Sequence, residues 1–155
     1  MLSMGSCAAK YGHNAPATEV VRSMEYMQRS SWLPHPVFAF YLEHDKENGR
    51  YLLTNASDCE RENGRTIEVP DSFVQKLVQI VKEEKMYEYE RDYQSPYMVL
   101  DGDSWTLFIG FENREMTVYS SGYMAYPEGD GLKRVEQLCR ETWAELGPKD
   151  QEDIH

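Results

Sequence analysis

The chain has 155 residues, of which 41% are apolar and 12% aromatic, with eleven tyrosines; this composition suits one folded domain with its own core and argues against a disordered chain. Its 27 acidic and 16 basic side chains leave a formal net charge of −11. Such a surface repels phosphate backbones, and no basic stripe stands out along the sequence, so nucleic acid is not an expected partner. No stretch approaches the length of a membrane-spanning helix and no signal peptide is visible, which makes a cytoplasmic location the first expectation.

Residues 1–17 are small and polar, with Gly12, Asn14 and Pro16, and read as a loose N-terminal arm. A single domain is expected over 18–147, followed by a polar tail over 148–155. Residues 18–30 are ambiguous: Val20, Val21, Met24 and Met27 fit a helical face, whereas Val20, Arg22 and Met24 fit one side of an edge strand. The two prolines in SWLPHP make a loop. VFAFYLEHD, Asn48-Gly49 and RYLLTNAS then give the clearest hairpin, because Asn-Gly tolerates the positive φ of a tight turn. With Asn48 and Gly49 as the two turn residues, Glu47 faces Arg50 as an opposite-charge pair. A polar stretch from Asp58 through Asn63-Gly64 leads onward.

Residues 70–86 are predicted as an amphipathic helix. Pro70 and Asp71 suit its first turn, and Phe73, Leu77, Ile80 and Val81 line one face. A tyrosine-rich connection, YEYERDYQSPY, follows. From Trp105 the alternation of a strand is plain, with Trp105, Leu107, Ile109 and Phe111 on one side. After a turn at ENRE, in which Asn113 suits a left-handed position, EMTVYSS is the partner strand. The connector SGYMAYPEG leads to a last helix over 130–146, with Asp130 as N-cap. Leu132, Val135, Leu138, Cys139 and Trp143 form its apolar stripe, and Gly147-Pro148 stops it. Short turns between strands require antiparallel pairing. The expected fold is therefore α+β, an antiparallel sheet of four to five strands with two amphipathic helices on one face, in the order β-ββ-α-ββ-α.

Two motifs in the second half resemble an uncharacterised family of small bacterial α+β domains. One is the strand opening Leu100-Asp101-Gly102 with Ser104-Trp105. The other is the connector Ser121-Gly122 with Ala125-Tyr126-Pro127. The likeness covers residues 66–146 well, the hairpin more loosely and the first 30 residues hardly at all. It implies the same fold, tips 20–30 toward a strand, and implies no activity.

The chemistry is sparse. Cys7, Cys59 and Cys139 have no disulfide or zinc spacing, and His13, His35, His44 and His155 have no metal-ligand spacing, so neither metal nor cofactor is expected. No nucleophile elbow, phosphate loop, dinucleotide fingerprint or zinc-protease motif occurs. Tyr123 and Tyr126 read either as a ligand platform or as the joint that turns a strand into a helix. Tyr87, Tyr89, Tyr93 and Tyr97 read either as a recognition patch or as packing against the sheet. The leading expectation is a non-enzymatic bacterial domain that binds a protein or peptide through this tyrosine-rich surface. One alternative is a hydrolase using carboxylates near Asp101 and Asp103. Another is a lipoprotein, because Met4-Gly5-Ser6-Cys7 resembles the end of a lipoprotein signal, anchored through Cys7 if an upstream segment is missing.

Overall fold

The computed structural model describes residues 20–97 and 102–149; the N-terminal arm with Cys7, the polar tail from residue 150 onward, and Leu100 and Asp101 lie outside them. The ambiguous N-terminal segment is a strand, β1 (Val21–Ser30), and it lies near the middle of the sheet rather than at its edge. Its side chains alternate, Met24 and Tyr26 being buried and the residues between them less so, which is the two-residue period of a strand. It pairs with β2 (Phe38–Asp45) on one side and β6 (Asp103–Phe111) on the other, both antiparallel.

The other strands are β3 (Arg50–Asn55), β4 (Arg65–Val69), β5 (Asp92–Gln94) and β7 (Val118–Tyr123). The sheet thus has seven strands, ordered β4-β3-β2-β1-β6-β7-β5, not four to five. It is mixed rather than wholly antiparallel, because β5 runs parallel to β7. The two strands that went unread are its edges. In β4 only Ile67 and Val69 are apolar, and β5 has three residues, too few to show a period.

The β2–β3 turn also differs from expectation. Asp45, not Glu47, pairs with Arg50, so four residues turn the chain rather than two. The Gly49 N–H donates to the Asp45 carbonyl at 2.7 Å, and Gly49 takes the positive φ of 69°. Asp45 accepts the Asn48 amide at 2.8 Å and lies 3.5 Å from the Arg50 guanidinium, and these contacts hold its carboxyl below the usual range. The carboxylate sits where it can bind both the turn and the strand that follows, which Glu47 cannot do.

Helix α1 (Asp71–Glu83) begins as its apolar period predicts and buries Phe73, Val74, Leu77, Ile80 and Val81. It stops before residue 86 because Lys85 adopts a left-handed conformation (φ 51°) and sends the chain into a single turn at Met86–Glu88. Helix α2 (Gly131–Leu146) buries Val135 and Cys139 and half-buries Leu132, Leu138 and Trp143, while Leu146 stays exposed. Asp130 does not cap it through its side chain; instead its N–H donates to Glu84 at 3.3 Å. Arg134 reaches Glu83 at 2.9 Å and Glu84 at 3.1 Å, tying the start of α2 to the end of α1. Asn113 is not left-handed either: at φ −79° its side chain accepts the Glu115 N–H at 3.1 Å.

Both helices cover one face of the sheet. Phe40, Leu42, Leu53, Leu107, Ile109 and Phe111 meet Leu77, Val81, Val135 and Cys139 in one core. Each such side chain contributes roughly 1.5–3 kcal/mol by leaving water. The other face carries a small cluster of Ala39, Tyr41 and Ala56, with Met27 and Cys59 packed beside it and the Arg61 guanidinium 4.0 Å from the Tyr41 ring. The rest of that face is open, with Phe108 and Tyr119 in edge contact at 6.1 Å. Among the described residues no helix is long and apolar enough to cross a membrane.

Candidate functional site

The two halves of the sequence motif meet in space. Trp105 enters from β6 on the helix-covered face, and its indole N–H donates to the Ala125 carbonyl at 2.8 Å. Trp105 and Gly122 are register partners in β6 and β7, and a Cβ on Gly122 would overlap both the indole nitrogen and the Ala125 carbonyl. Gly122 is therefore needed for a close approach, not for a special φ. Beyond it Met124 takes φ 53° and Gly129 φ 90°, which turn the chain off the sheet toward α2.

The expected site tyrosines divide around this indole. Tyr93 lies 6.0 Å from Trp105 on one side, and Tyr89 meets Tyr93 edge-on at 6.3 Å. Tyr126 stacks on Trp105 at 6.3 Å, with planes 15° apart. Tyr87, Tyr89 and Tyr93 are half-buried against the main core. The Tyr89 hydroxyl is buried with no hydrogen-bond partner, and burial pushes its pKa up to about 12. Tyr123 is half-buried in β7, between Ser104 and Gln94. Tyr126 alone of these five is exposed, at 52%.

Tyr97, at 79%, and three side chains not singled out in the sequence, Trp32 at 75%, Leu33 and Met124, join Tyr126 as exposed apolar surface. The strand directions bring all five to one end of the sheet. β1 ends there, β6 begins there, and β5 and β7 both finish there. Backbone bonds hold the loops in place. Ser31 N–H donates to the Gly102 carbonyl at 3.2 Å, Gly102 N–H donates to the Ser31 hydroxyl at 2.9 Å, and Met124 N–H donates to the Asp103 carbonyl at 2.9 Å. The loop carrying Trp32 and the connector carrying Tyr126 are thus both anchored to the first residues of β6. A tryptophan two residues from Pro34-His35-Pro36 was the available signal, since such a loop has no regular face to bury it.

Asp103 lies at the same end. It accepts the Gln28 amide at 3.4 Å, and its charge adds to burial in raising the Tyr126 hydroxyl pKa. Among the described residues no group of three or more His, Cys, Asp or Glu side chains could hold a metal ion. Cys139 is fully buried, which pushes its thiol pKa up and leaves it unreactive. Compared with protein-family models, with curated proteins and with solved structures, the chain matches none.

Proposed function

We propose that this domain is a non-catalytic module that binds a protein or peptide segment through the ring-bearing end of its sheet. The observation that carries this reading is the exposure of Trp32 and Leu33 and of Met124 and Tyr126 on two segments tied to the start of β6, with exposed Tyr97 at the same end of the sheet. Exposed tryptophan and tyrosine on a rigid support are the side chains from which interface hot spots are built. Asp103 beside Tyr126, on a chain of net charge −11, favours a segment with apolar side chains and a basic flank. The two motifs on which the likeness to small bacterial α+β domains rests touch each other here, at Trp105 and Ala125.

The hydrolase reading has less support. It needs two carboxylates with divergent ionisation. Of its two carboxylates, Asp103 accepts the Gln28 amide at 3.4 Å, and Asp101 lies outside the described residues.

Selection from a displayed random-peptide library tests the binding reading. The expected result is enrichment of apolar peptides with Lys or Arg, which lose about thirtyfold in affinity for the Trp32→Ala, Tyr126→Ala double variant, the scale of one hot spot. No enrichment, or equal binding to parent and variant, overturns it.

A further inference from the structure

At the other end of the sheet a cleft of about 600 Å³ opens between the β2–β3 turn, the start of β1 and the β6–β7 turn. That volume lies within the range of small-molecule sites. Three cations line it from three separate segments: Arg22, Lys46 and Arg114. Phe108 and Gly110 are among its lining residues, as are the hydroxyls of Ser23 and Thr117.

Four arginines elsewhere are engaged by carboxylates: Arg50 with Asp45 and Glu68, Arg61 with Glu25 and Glu43, Arg134 with Glu83 and Glu84, Arg140 with Glu136. Arg22, Lys46 and Arg114 have no such partner among the described residues. The one carboxylate on the wall, Glu43, is held by Arg61 at 3.7 Å. On a chain with 27 acidic side chains, three cations lining one cleft, none of them neutralised by a carboxylate among the described residues, make a local concentration of positive charge.

Arg22 is there by a specific device. The pairing of β1 with β6 passes from Val21↔Phe111 to Ser23↔Gly110, so Arg22 is an extra residue in a β-bulge. Bulges re-aim a side chain out of the strand's alternation. Gly110 opposite it is crowded: a Cβ there would lie 3.0 Å from the Phe108 ring and 3.4 Å from the Ser23 hydroxyl. Glycine keeps the floor low enough for a ligand to approach the ring.

We propose that this cleft binds a small organic anion, a phosphate-like dianionic head held by Arg22, Arg114 and Lys46 with a planar or apolar body against Phe108. Two arginines suit a phosphate or carboxylate because the guanidinium fork presents paired donors. The three cations line a single cleft, and the overall charge repels a polyanion, so the ligand is compact and not a nucleic acid. This site is at the opposite end of the sheet from the ring-bearing surface and does not depend on it.

The test is amide chemical-shift titration of the full chain with phenyl phosphate, inorganic phosphate and benzyl alcohol. Phenyl phosphate is expected to move the amides of Ser23, Phe108, Gly110 and Arg114 in a saturable way. Inorganic phosphate is expected to move the same set more weakly, and benzyl alcohol to leave it unmoved. Arg22→Gln and Arg114→Gln are each expected to weaken phenyl phosphate about tenfold, the scale of one charge-assisted bond. Both side chains are exposed and without partners, so an unchanged melting temperature shows that the fold is kept. No saturable shift at millimolar phenyl phosphate, shifts elsewhere, or equal affinity in both variants overturns the proposal. Equal response to benzyl alcohol overturns it as well, since the site would then be apolar alone.

Discussion

The two ends of this sheet are made from the same strands and solve different problems. Where β1 and β7 finish, loops carry rings, and backbone hydrogen bonds fix those loops to β6. Where β2 and β6 finish, turns carry cations around a cleft whose floor is a glycine. At the first end Trp105 sits at the boundary of core and surface: its own indole is buried, but the Tyr126 ring stacked on it is half in water. The difference teaches that exposure here follows support. Tyr126 leans on a buried ring and Trp32 sits on pinned backbone, whereas Arg22 is placed by a bulge and Lys46 and Arg114 lie on turns.

The sharpest way to break this comparison is at Trp105. Trp105→Ala removes a buried ring and the bond to Ala125, and is expected to cost about 3–5 kcal/mol in urea unfolding. A loss under about 1 kcal/mol would mean that the connector is not anchored through this indole.

Alkali gives the next largest effect. Burial raises the pKa of Tyr89 to about 12 and moves Tyr26 and Cys139 upward also. The folded state then holds protons that the unfolded chain releases. Stability is fully present below the ordinary values, 9.0 for the thiol and 10.0 for the phenols, and falls as pH rises through them toward the folded values. Unfolding free energy measured across this range is expected to decline above pH 9, and a flat profile would show these groups to be solvated.

Tyr89→Phe is expected to stabilise the fold by about 1 kcal/mol and to soften the alkaline decline, because it removes a buried hydroxyl without a partner. A loss of stability would reveal a bond to that hydroxyl. Tyr126→Ala is expected to cost about 1 kcal/mol, the worth of a stacked pair half in water. Trp32→Ala closes the series, within about 0.5 kcal/mol, as exposed side chains usually are. If Trp32→Ala costs as much as Trp105→Ala, the ring-bearing end is part of the core and the binding surface fails.

Much of the fold is legible in the sequence because the buried elements carry strong periods. The apolar stripes of α1 and α2 and the alternation from Trp105 to Phe111 place the core with little ambiguity. The edge strands β4 and β5 are not legible, since half-exposed pairs of three to five residues leave no period. The tyrosines attract attention by number, yet Tyr87, Tyr89 and Tyr93 act as packing. The cleft is invisible for another reason. Arg22, Lys46 and Arg114 are far apart in the chain, and only the pairing of β1 with β2 and β6 brings their segments together. A search for a basic stripe along the sequence does not find a cluster assembled across a sheet.

The bulge at Arg22 makes one residue separable from the rest. Val21 and Met24 are both fully buried in the same core although three positions apart, because the extra residue absorbs the odd step. Deleting Arg22 would leave Val21 opposite Phe111 and Ser23 opposite Gly110 in an unbroken ladder, with every core contact of β1 retained. An insertion or deletion of a single codon is thus enough to give or take a cation at the cleft while the interior is unaware of it, so length variation at this point of β1 is a route by which such a domain changes its ligand and keeps its fold.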